Sequence, residues 1–294
     1  MKRLIRIQAP AKVNLYLDIT GRRADGYHLL ETVMQSVSLY DEVFVEYSGG
    51  GSGRITVECD RPEIPSGESN IAYKAARLFL ERSGADADVA IKIKKQIPSG
   101  AGMGGGSSDA AAVLAALSGC VEIPSGALYE TAAQVGADVP FCLCGGTAEC
   151  RGIGEQITRL TMPRDFAILA VKPEFSCPTG EAYAKYDRSP IAARGCMGEF
   201  IRDMQRGSFG GTYNVFRELY CDSRIERTID AMKRGGALGA ELSGSGSAVF
   251  GVFSDEAAAR KCAGLFGDLF SAVCRPCEGL LLENICDNAE RTGL

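Results

Sequence analysis

The sequence is poor in histidine and has no segment suited to crossing a membrane. It contains no tryptophan and a single histidine, His28, which excludes a zinc site built on a pair of histidines. No run of 18 apolar residues is present, so we expect no membrane-spanning helix and no membrane partner. The N-terminal residues lack the apolar core of a signal peptide, and we therefore expect a cytoplasmic protein.

An excess of positive charge is also missing. Lys and Arg together number 32 and Asp and Glu number 37, which gives a net charge of −5. Because general nucleic-acid binders are usually basic, we expect no nucleic-acid partner. With 46% hydrophobic and 23% charged residues, the composition is typical of a globular protein. A chain of 294 residues predicts about two domains, with a core that needs neither disulfides nor a metal.

Cysteine, by contrast, is plentiful, with 12 residues scattered along the chain. Only two pairs are closely spaced, Cys142 with Cys144 and Cys274 with Cys277, and their surroundings do not fit a zinc ribbon. Since no secretion signal is found, a disulfide framework is not expected. We predict reduced and mostly buried thiols.

Local patterns predict alternating strands and helices, with a boundary between two lobes near residue 160. Two segments with period-2 alternation, 42–47 and 54–59, flank the glycine-rich segment 48–53 and predict a β-hairpin. The other predicted elements are helices over 71–83 and 125–135, strands over 89–93, 166–171 and 248–253, and a helix starting near 254.

The most informative segment is a glycine-rich loop over residues 98–109, with the sequence PSGAGMGGGSSD. It follows a predicted strand and precedes an alanine-rich helix predicted over 110–117, with Ser107 and Ser108 at the helix cap. Glycines let backbone N–H groups approach a phosphate, and a helix N-terminus adds partial positive charge. We therefore predict a phosphate site here; a mobile connector is the less favoured alternative. The loop is not a Walker loop, because no Gly-Lys-Ser/Thr follows.

This loop resembles the second motif of the GHMP kinase superfamily, which includes galactose, homoserine, mevalonate and phosphomevalonate kinases. The other landmarks are similar to one branch of it, whose members phosphorylate 4-diphosphocytidyl-2-C-methyl-D-erythritol. In chain order they are PAKVNLYL at 10–17, GRRADGYH at 21–28, GADVP at 136–140 and LSGSG at 242–246. The resemblance spans about residues 9 to 253, and the Asp-Gly-Tyr-His stretch ending at His28 separates this branch from its relatives.

The resemblance implies an α+β fold of two lobes with the substrates in the cleft between them. Residues 1–160 would form a ribosomal S5 domain 2-like lobe, and residues 161–294 a ferredoxin-like lobe. It also implies transfer of the γ-phosphate of ATP to a hydroxyl of the methylerythritol moiety, a step towards isoprenoid precursors by the non-mevalonate route. Mg²⁺ is expected with the phosphates, but its protein ligands stay open. The partner is a small molecule with a cytidine diphosphate group, and the chain is expected to be a monomer or a homodimer.

Asp138 and Lys12 are the catalytic candidates that the resemblance implies. Taken alone, Asp138 is more typical of a turn aspartate bonded to its own backbone, and Lys12 of a solvated strand lysine. The resemblance makes Asp138 the general base for the acceptor hydroxyl. Lys12 would then stabilise the developing alkoxide. Asn14 shares a strand face with Lys12, and we expect it to orient the substrate.

The cytosine-binding residues implied by the resemblance are Tyr27, His28 and Tyr183. A pyrimidine needs a flat aromatic face and polar groups at its edge. Tyr27 would supply the face and His28 the polar edge, on a loop that starts with Asp25-Gly26. Tyr183, four residues after Thr179, would cover the second face of the base.

The remaining candidates belong to the phosphates and the nucleotide. Lys95 would lie near the nucleotide, with a solvated basic run alongside Lys92 and Lys94 as the alternative. Asn70 would contact the nucleotide, or only cap the helix that follows it. A compact turn in the second lobe would close over the phosphates. The predicted ATP-binding residues are Asn70, Lys95, Pro98, Gly100, Gly102, Met103, Gly104, Gly105, Gly106, Ser107 and Ser108, and the turn is Gly244, Ser245 and Gly246.

Two other functions compete with this interpretation. A different small-alcohol kinase of the same superfamily is disfavoured by the Asp-Gly-Tyr-His stretch. A binding protein that has kept the fold without catalysis is disfavoured because both Lys12 and Asp138 are present.

Overall fold

A computed structural model describes residues 2–162, 165–175, 177–192 and 195–286. Within these residues the chain forms two sheets and nine α-helices. The strands are β1 (Lys2–Arg22), β2 (His28–Gly49), β3 (Ile55–Cys59), β4 (Ala87–Lys94), β5 (Thr147–Gly152), β6 (Gln156–Arg159), β7 (Ala167–Lys172), β8 (Tyr213–Asn214), β9 (Gly239–Leu242), β10 (Val249–Phe253), β11 (Phe270–Cys274) and β12 (Leu281–Cys286). The helices are α1 (Ile71–Ser83), α2 (Gly105–Ser118), α3 (Ser125–Val135), α4 (Val139–Cys144), α5 (Thr179–Arg188), α6 (Met197–Gln205), α7 (Val215–Tyr220), α8 (Ser223–Arg234) and α9 (Glu256–Ala263).

The larger sheet has eight strands, with the order β12-β1-β2-β4-β3 and with β5, β6 and β8 attached beside this path. Strands β1 and β2 form a long antiparallel ladder. Alternate residues of β1, such as Ile5 and Ile7, are buried and pack in one cluster with Phe79 of α1 and Leu114 of α2. The period-2 pattern of β1 thus places its apolar side chains against the helices.

The predicted hairpin between 42–47 and 54–59 is wrong, because β4 lies between β2 and β3 in the sheet. β2 pairs with β4 in antiparallel and β3 pairs with β4 in parallel orientation. The glycine-rich loop between β2 and β3 passes over the start of β4, where the Asp88 carboxylate accepts hydrogen bonds from the backbone N–H groups of Ser52 and Arg54. The connection over residues 50–54 is long enough to pass over one strand, and local alternation in the sequence cannot reveal that another strand is inserted there.

The smaller sheet has the order β11-β7-β10-β9, and all its neighbouring strands are antiparallel. This is the order of a ferredoxin-like fold, as the resemblance implies. Both faces of β7 are buried: Ile168 and Ala170 pack in the cluster that includes β1, whereas Leu169 and Val171 pack in the cluster with α8 and α9. The continuous apolar run of β7 is therefore the run of a strand covered on both faces.

The two sheets share an apolar interface built around the second half of β1. Val13 and Leu15 of β1 lie in one buried cluster with Ile168 of β7 and Phe250 of β10. Strand β8 also pairs with β1, at Tyr16. Strand β12 follows the smaller sheet along the chain but pairs with β1, so residues 281–286 belong to the larger sheet. The division of the chain near residue 160 stays a prediction.

Most predicted helices are present, and the exceptions lie at the glycine loop and after Gly136. Helix α1 ends at Gly84, as predicted, and α3 coincides with the predicted 125–135. Helix α2 begins at Gly105, five residues earlier than predicted, with Gly104 as its N-cap. Ser107 and Ser108 therefore lie inside the first turn, and their predicted place at the cap is wrong. Asp138, which alone is more typical of a turn, lies at the N-cap position of the short helix α4.

The cysteines do not form the mostly buried set that we predicted. The side chains of eleven of the twelve cysteines are described, and none of these eleven is in a disulfide. Four of these are buried, five are half-buried, and Cys196 and Cys221 are exposed. Among the described residues, no helix has both the length and the apolar character needed to cross a membrane.

Candidate active site

A cleft of about 570 Å³ is lined by residues from both lobes. Strand β1, the glycine loop and the start of α4 contribute from the larger sheet, and α5, α7 and the turn after β9 from the smaller one. The predicted site residues that line it are Lys12, Asn14, Asn70, Lys95, Pro98, Gly100, Gly102, Met103, Gly104, Gly105, Gly106, Ser107, Asp138, Tyr183, Gly244 and Ser245. Four others, Tyr27, His28, Ser108 and Gly246, are outside its lining.

Lys12 and Asp138 form an ion pair in the cleft wall. Lys12 Nζ lies 3.3 Å from Asp138 Oδ2 and donates a hydrogen bond of 2.7 Å to Asn14 Oδ1. The lysine side chain is 4% exposed, whereas that of Asp138 is 33% exposed. The Lys12 ammonium is thus held in place by its hydrogen bond to Asn14. The Asp138 carboxylate is the more exposed member of the pair, which a ligand in the cleft can contact.

The strand geometry brings Lys12 and Asn14 to the same side. They alternate with Val13 and Leu15, which are fully buried, as the pattern predicts. The register between β1 and β2 shifts between Asn14 and Tyr16, a local irregularity of the kind found beside active sites.

A second layer of hydrogen bonds holds Asn14. Its Nδ2 donates to Thr32 Oγ1 at 2.9 Å, and Thr32 Oγ1 donates to the carbonyl of Tyr16 at 2.6 Å. All three residues are buried. The amide of Asn14 therefore has a fixed orientation, with its oxygen towards Lys12.

The glycine loop and the turn over 243–246 are in direct contact. Ala248 N–H donates to the carbonyl of Ala101, and Ser243 Oγ donates to the carbonyl of Gly102. A Cβ on Gly102 would lie 2.0 Å from the Ser243 carbonyl oxygen, and one on Gly104 would lie 2.9 Å from Cγ of Lys12. At these two positions glycine is required by the approach of the protein itself, besides any role towards a phosphate.

The N-terminus of α2 offers backbone donors to the cleft. Its N-cap, Gly104, has a left-handed conformation and no side chain to bond the first N–H groups. Such a helix start suits an anion. Just beneath it, Ser108 Oγ and Asp109 Oδ1 are buried without a hydrogen-bond partner among the described residues.

Lys95 lines the cleft, but its ammonium is engaged by two buried carboxylates. Its Nζ pairs with Asp41 and, at 2.6 Å, with Asp109. Burial acts to lower the pKa of Lys95, but Asp109 and Asp41 outweigh it and raise that pKa. Burial, reinforced by Asp41, raises the pKa of Asp109 to about 8. The alternative of a solvated basic run is wrong for Lys95, although Lys92 and Lys94 are exposed.

Asn70 acts as a helix cap. Its Oδ1 accepts a hydrogen bond of 2.8 Å from the Ala72 N–H, and its Nδ2 donates to the carbonyl of Pro65. Both ends of its amide are therefore engaged, although the residue also lines the cleft.

His28 is enclosed by one face of α5. Its ring stacks on Tyr183 with 4.7 Å between centroids, meets the edge of Tyr186 at 5.8 Å, and its Nε2 lies 2.7 Å from Asp187 Oδ1. These three residues are at positions i, i+3 and i+4 of the helix, so they share a face. Tyr27 is 59% exposed and stands apart from this group. His28 covers one face of the Tyr183 ring, and the predicted role of Tyr183 towards the base stays a prediction.

Acidic, cysteine or histidine clusters of three or more that could hold a metal ion are absent from the described part of the chain. Two carboxylates line the cleft, Asp109 and Asp138, and each is already paired with a lysine. Mg²⁺ in phosphoryl-transfer sites is commonly held by one or two carboxylates together with substrate phosphates. The residues present thus fit an ion that enters with a nucleotide better than a resident one.

Comparison with known proteins shows the family of this chain. Residues 70–146 match the GHMP kinases N terminal domain, and residues 192–268 match the GHMP kinases C terminal domain. The chain is 40% identical over 266 residues to a 4-diphosphocytidyl-2-C-methyl-D-erythritol kinase of Clostridium botulinum (strain Eklund 17B / Type B), covering 88% of this chain and 94% of that protein. The chain belongs to the 4-diphosphocytidyl-2-C-methyl-D-erythritol kinase family.

Other relatives extend this result. A kinase of the same name from Acetivibrio thermocellus is 40% identical over 260 residues, covering 86% of this chain and 91% of that protein. A crystal structure of 4-(cytidine 5'-diphospho)-2C-methyl-D-erythritol kinase is similar with a TM-score of 0.74 and 35% identity, covering 94% of this chain and 99% of that one. A homoserine kinase from Cytophaga hutchinsonii, at 20% identity, has a TM-score of 0.76 with 96% and 98% covered, and shows the fold alone.

These findings confirm the predicted two-lobed GHMP kinase fold and the class of enzyme, a phosphotransferase with an alcohol acceptor. GHMP kinases use ATP as co-substrate. The roles of single residues in this family member stay predictions.

Sequence reasoning missed four residues that the structure places at the site. Asp41 and Asp109 hold Lys95, and Tyr186 and Asp187 enclose His28. Asp109 could have been predicted from the sequence, since it directly follows the two serines of the glycine loop. The spacing of Tyr183, Tyr186 and Asp187 is a helical face that could have been noticed, but its partner is 159 residues away in the chain.

Proposed function

We propose that this enzyme transfers the γ-phosphate of ATP to the 2-hydroxyl of 4-diphosphocytidyl-2-C-methyl-D-erythritol, a step in the non-mevalonate pathway to isoprenoid precursors. The substrate class comes from the names of the relatives. This chain aligns with more than nine-tenths of the length of each of them. The observation that carries the proposal in this chain is the Lys12–Asp138 pair in the cleft between the glycine loop and the second lobe.

Asp138 is the proposed general base. Phosphoryl transfer to an alcohol needs the hydroxyl held in line and its proton accepted as the new P–O bond forms. The carboxylate of Asp138 is one-third exposed at the cleft, while its partner Lys12 is buried beside it. The acceptor oxygen would transfer its proton to Asp138, the γ-phosphoryl group would join that oxygen, and ADP would leave.

Lys12 is the proposed electrostatic partner. Its ammonium is held at Asn14 and Asp138, within reach of an oxygen that also contacts the base. A fixed positive charge near that oxygen stabilises the negative charge that develops in the transition state. Asn14, itself fixed by Thr32, keeps the ammonium in place.

The triphosphate would lie along the glycine loop, with its γ-phosphate directed at the Lys12–Asp138 pair. The first N–H groups of α2 are the donors for it, with no side-chain cap competing for them. Mg²⁺, bound with the nucleotide, would neutralise phosphate charge. Asp109 and the hydroxyls of Ser107 and Ser108 would hold it, because Ser108 and Asp109 carry buried oxygens without a hydrogen-bond partner among the described residues.

The decisive experiment is an assay of the purified enzyme with ATP and Mg²⁺ against three alcohols separately. Phosphorylation is expected with 4-diphosphocytidyl-2-C-methyl-D-erythritol and not with mevalonate or homoserine. Chelation of Mg²⁺ is expected to stop turnover. Transfer to mevalonate or homoserine, without transfer to the cytidine substrate, would sink the proposal.

The variant His28→Ala tests the proposed recognition of the cytosine ring of the substrate. We expect a rise of about tenfold in KM for the cytidine substrate with little change in KM for ATP. An unchanged KM for the cytidine substrate would remove His28 from the substrate site.

A further inference from the structure

The hydrogen bond between His28 and Asp187 determines which nitrogen of the only histidine carries the proton. Nε2 of His28 lies 2.7 Å from Asp187 Oδ1. The other oxygen of the same carboxylate, Oδ2, faces Arg22 Nη1 at 3.5 Å. A carboxylate with a cation on one oxygen is ionised and can only accept hydrogen bonds. Nε2 must therefore donate.

The same groups explain why the carboxylate stays ionised. The hydrogen bond from His28 and the charge of Arg22 keep the pKa of Asp187 below its usual range. Arg22 also donates through Nε to the carbonyl of Gly26, so it ties the loop after β1 to α5.

The second ring nitrogen is left available. With the proton on Nε2, Nδ1 of the neutral imidazole carries a lone pair and accepts hydrogen bonds. No described residue bonds to Nδ1, and the ring is held against rotation by Tyr183 on one face and Tyr186 at its edge. His28 is outside the lining of the cleft, but Tyr183, on which its ring stacks, is part of that lining.

An acceptor at this point distinguishes two pyrimidines. Cytosine carries an exocyclic amino group, which donates, where uracil carries a carbonyl oxygen, which accepts. If a site accepts a hydrogen bond from the cytosine amino group, binding of uracil places the lone pair of its carbonyl oxygen against the lone pair of the site. The hydrogen bond is then lost, and the site discriminates strongly in favour of cytosine.

We infer that Asp187 is a positioning residue that holds neutral His28 with its proton on Nε2, so that Nδ1 accepts from the exocyclic amino group of cytosine. The inference rests on the proposed function for the location of the base. It adds the residue that gives His28 its selectivity. It also explains why α5 of the second lobe presents Tyr183, Tyr186 and Asp187 to the first residue of β2.

The first test uses the fact that His28 is the only histidine in the chain. Protein labelled with ¹⁵N-histidine gives the NMR signals of one imidazole, without any assignment step. At about pH 8.5 a free imidazole is neutral, and we expect the proton on Nε2, exchanging slowly with water. In Asp187→Ala that proton should exchange rapidly. A wild-type ring protonated on Nδ1 overturns the inference.

The second test measures the binding of cytidine 5'-diphosphate and uridine 5'-diphosphate by calorimetry. The wild type should prefer the cytidine ligand by about tenfold or more. In Asp187→Ala, affinity for the cytidine ligand should fall about tenfold and affinity for the uridine ligand less than about twofold, so the preference is lost. Equal weakening of both ligands would mean that Asp187 only supports the fold, and overturns the inference.

The matched control is Glu181→Ala. Glu181 is an exposed carboxylate in the first turn of the same helix, with no hydrogen bond to His28. Its removal changes the charge of α5 equally and should leave the preference intact; a loss of preference there would also overturn the inference.

These measurements separate this inference from the proposed function. If the enzyme fails to phosphorylate the cytidine substrate but shows an Asp187-dependent preference for the cytidine ligand, the proposed function fails and the inference stands. If turnover is as proposed while Asp187→Ala keeps the preference, the inference fails and the function stands.

Discussion

Two buried lysines line the same cleft, and their partners give them different roles. Lys95 contacts two carboxylates, Asp41 and Asp109, that are themselves almost fully buried. Lys12 contacts Asn14 and the single carboxylate of Asp138, whose side chain is one-third exposed. In the Lys95 cluster the lysine and both carboxylates are almost fully buried and bonded to one another, so we expect Lys95 to stabilise the fold beneath the phosphate loop. The cluster around Lys12 is open on one side, where a substrate can join it.

The largest effect is expected for Asp138→Asn. The substitution keeps the shape of the side chain but removes the proton acceptor, so kcat should fall by about 10³ or more. Affinity for ATP should stay within a few-fold, and the melting temperature within a few degrees. Steady-state kinetics, nucleotide binding and thermal unfolding measure the three quantities. Undiminished turnover would take Asp138 out of the base role.

Exchanging the two lysines for methionine tests the comparison directly. Lys95→Met leaves the buried acidic side chains of Asp41 and Asp109 without the cation that both of them contact, and the free energy of unfolding should fall by about 3–5 kcal/mol. Lys12→Met leaves only a partly exposed carboxylate, so the loss should be about 1 kcal/mol, while kcat falls roughly 10²-fold. Urea unfolding and kinetics of both variants are compared. If Lys12→Met were the more destabilising of the two, the division of roles would be wrong.

The Lys95 cluster should also make stability depend on pH. The pKa of Asp109 is raised by burial to about 8, from about 3.8 in the unfolded chain. Between these values the folded state binds the extra proton, so this group contributes stability at low pH that is lost as the pH rises towards 8. In Asp109→Asn the slope of unfolding free energy against pH should be reduced, by up to about 1.4 kcal/mol per pH unit. Parallel slopes in variant and wild type would contradict the assignment.

The smallest effect concerns the orientation of Lys12. Asn14→Ala removes the oxygen that receives the lysine hydrogen bond, and kcat should fall about fivefold with unfolding almost unchanged. Thr32→Val, which removes only the support of Asn14, should have a smaller effect still. A larger loss of kcat for Thr32→Val than for Asn14→Ala would mean that the chain of hydrogen bonds does not run through Asn14.

The sequence predicted the elements that carry a strong local signal. The strand with Lys12 and Asn14 alternating against Val13 and Leu15 is present, as are α1, α3 and the doubly buried strand β7. Pairing between strands is not a local property, and the hairpin across residues 48–53 failed for that reason. The start of α2 was also misplaced, because glycine was taken as a loop residue where Gly104 is in fact the cap.

For the site, the family resemblance predicted that Lys12 and Asp138 act together, which the composition and local patterns alone did not indicate. Nothing in the residues around Asp138 indicates that Lys12 lies 3.3 Å away, since 126 positions separate them in the chain. The partners of Lys95 and His28 were missed because they are distant in sequence and belong to other elements. Lys95 directly follows the exposed Lys92 and Lys94 in the sequence and looks solvated like them, but in the structure Lys95 is buried and only the other two are exposed.

The place of β12 has a consequence for how the chain is made. Among the described strands, β12 is the outer neighbour of residues 4–8 of β1, through residues 281–286. During synthesis the larger sheet therefore leaves the ribosome with an unpaired edge, and it keeps that edge until residues 281–286 have emerged. A nascent chain stalled before residue 281 would present those backbone groups to other nascent chains. Strand β12 thus protects the edge of a strand that is synthesised long before it.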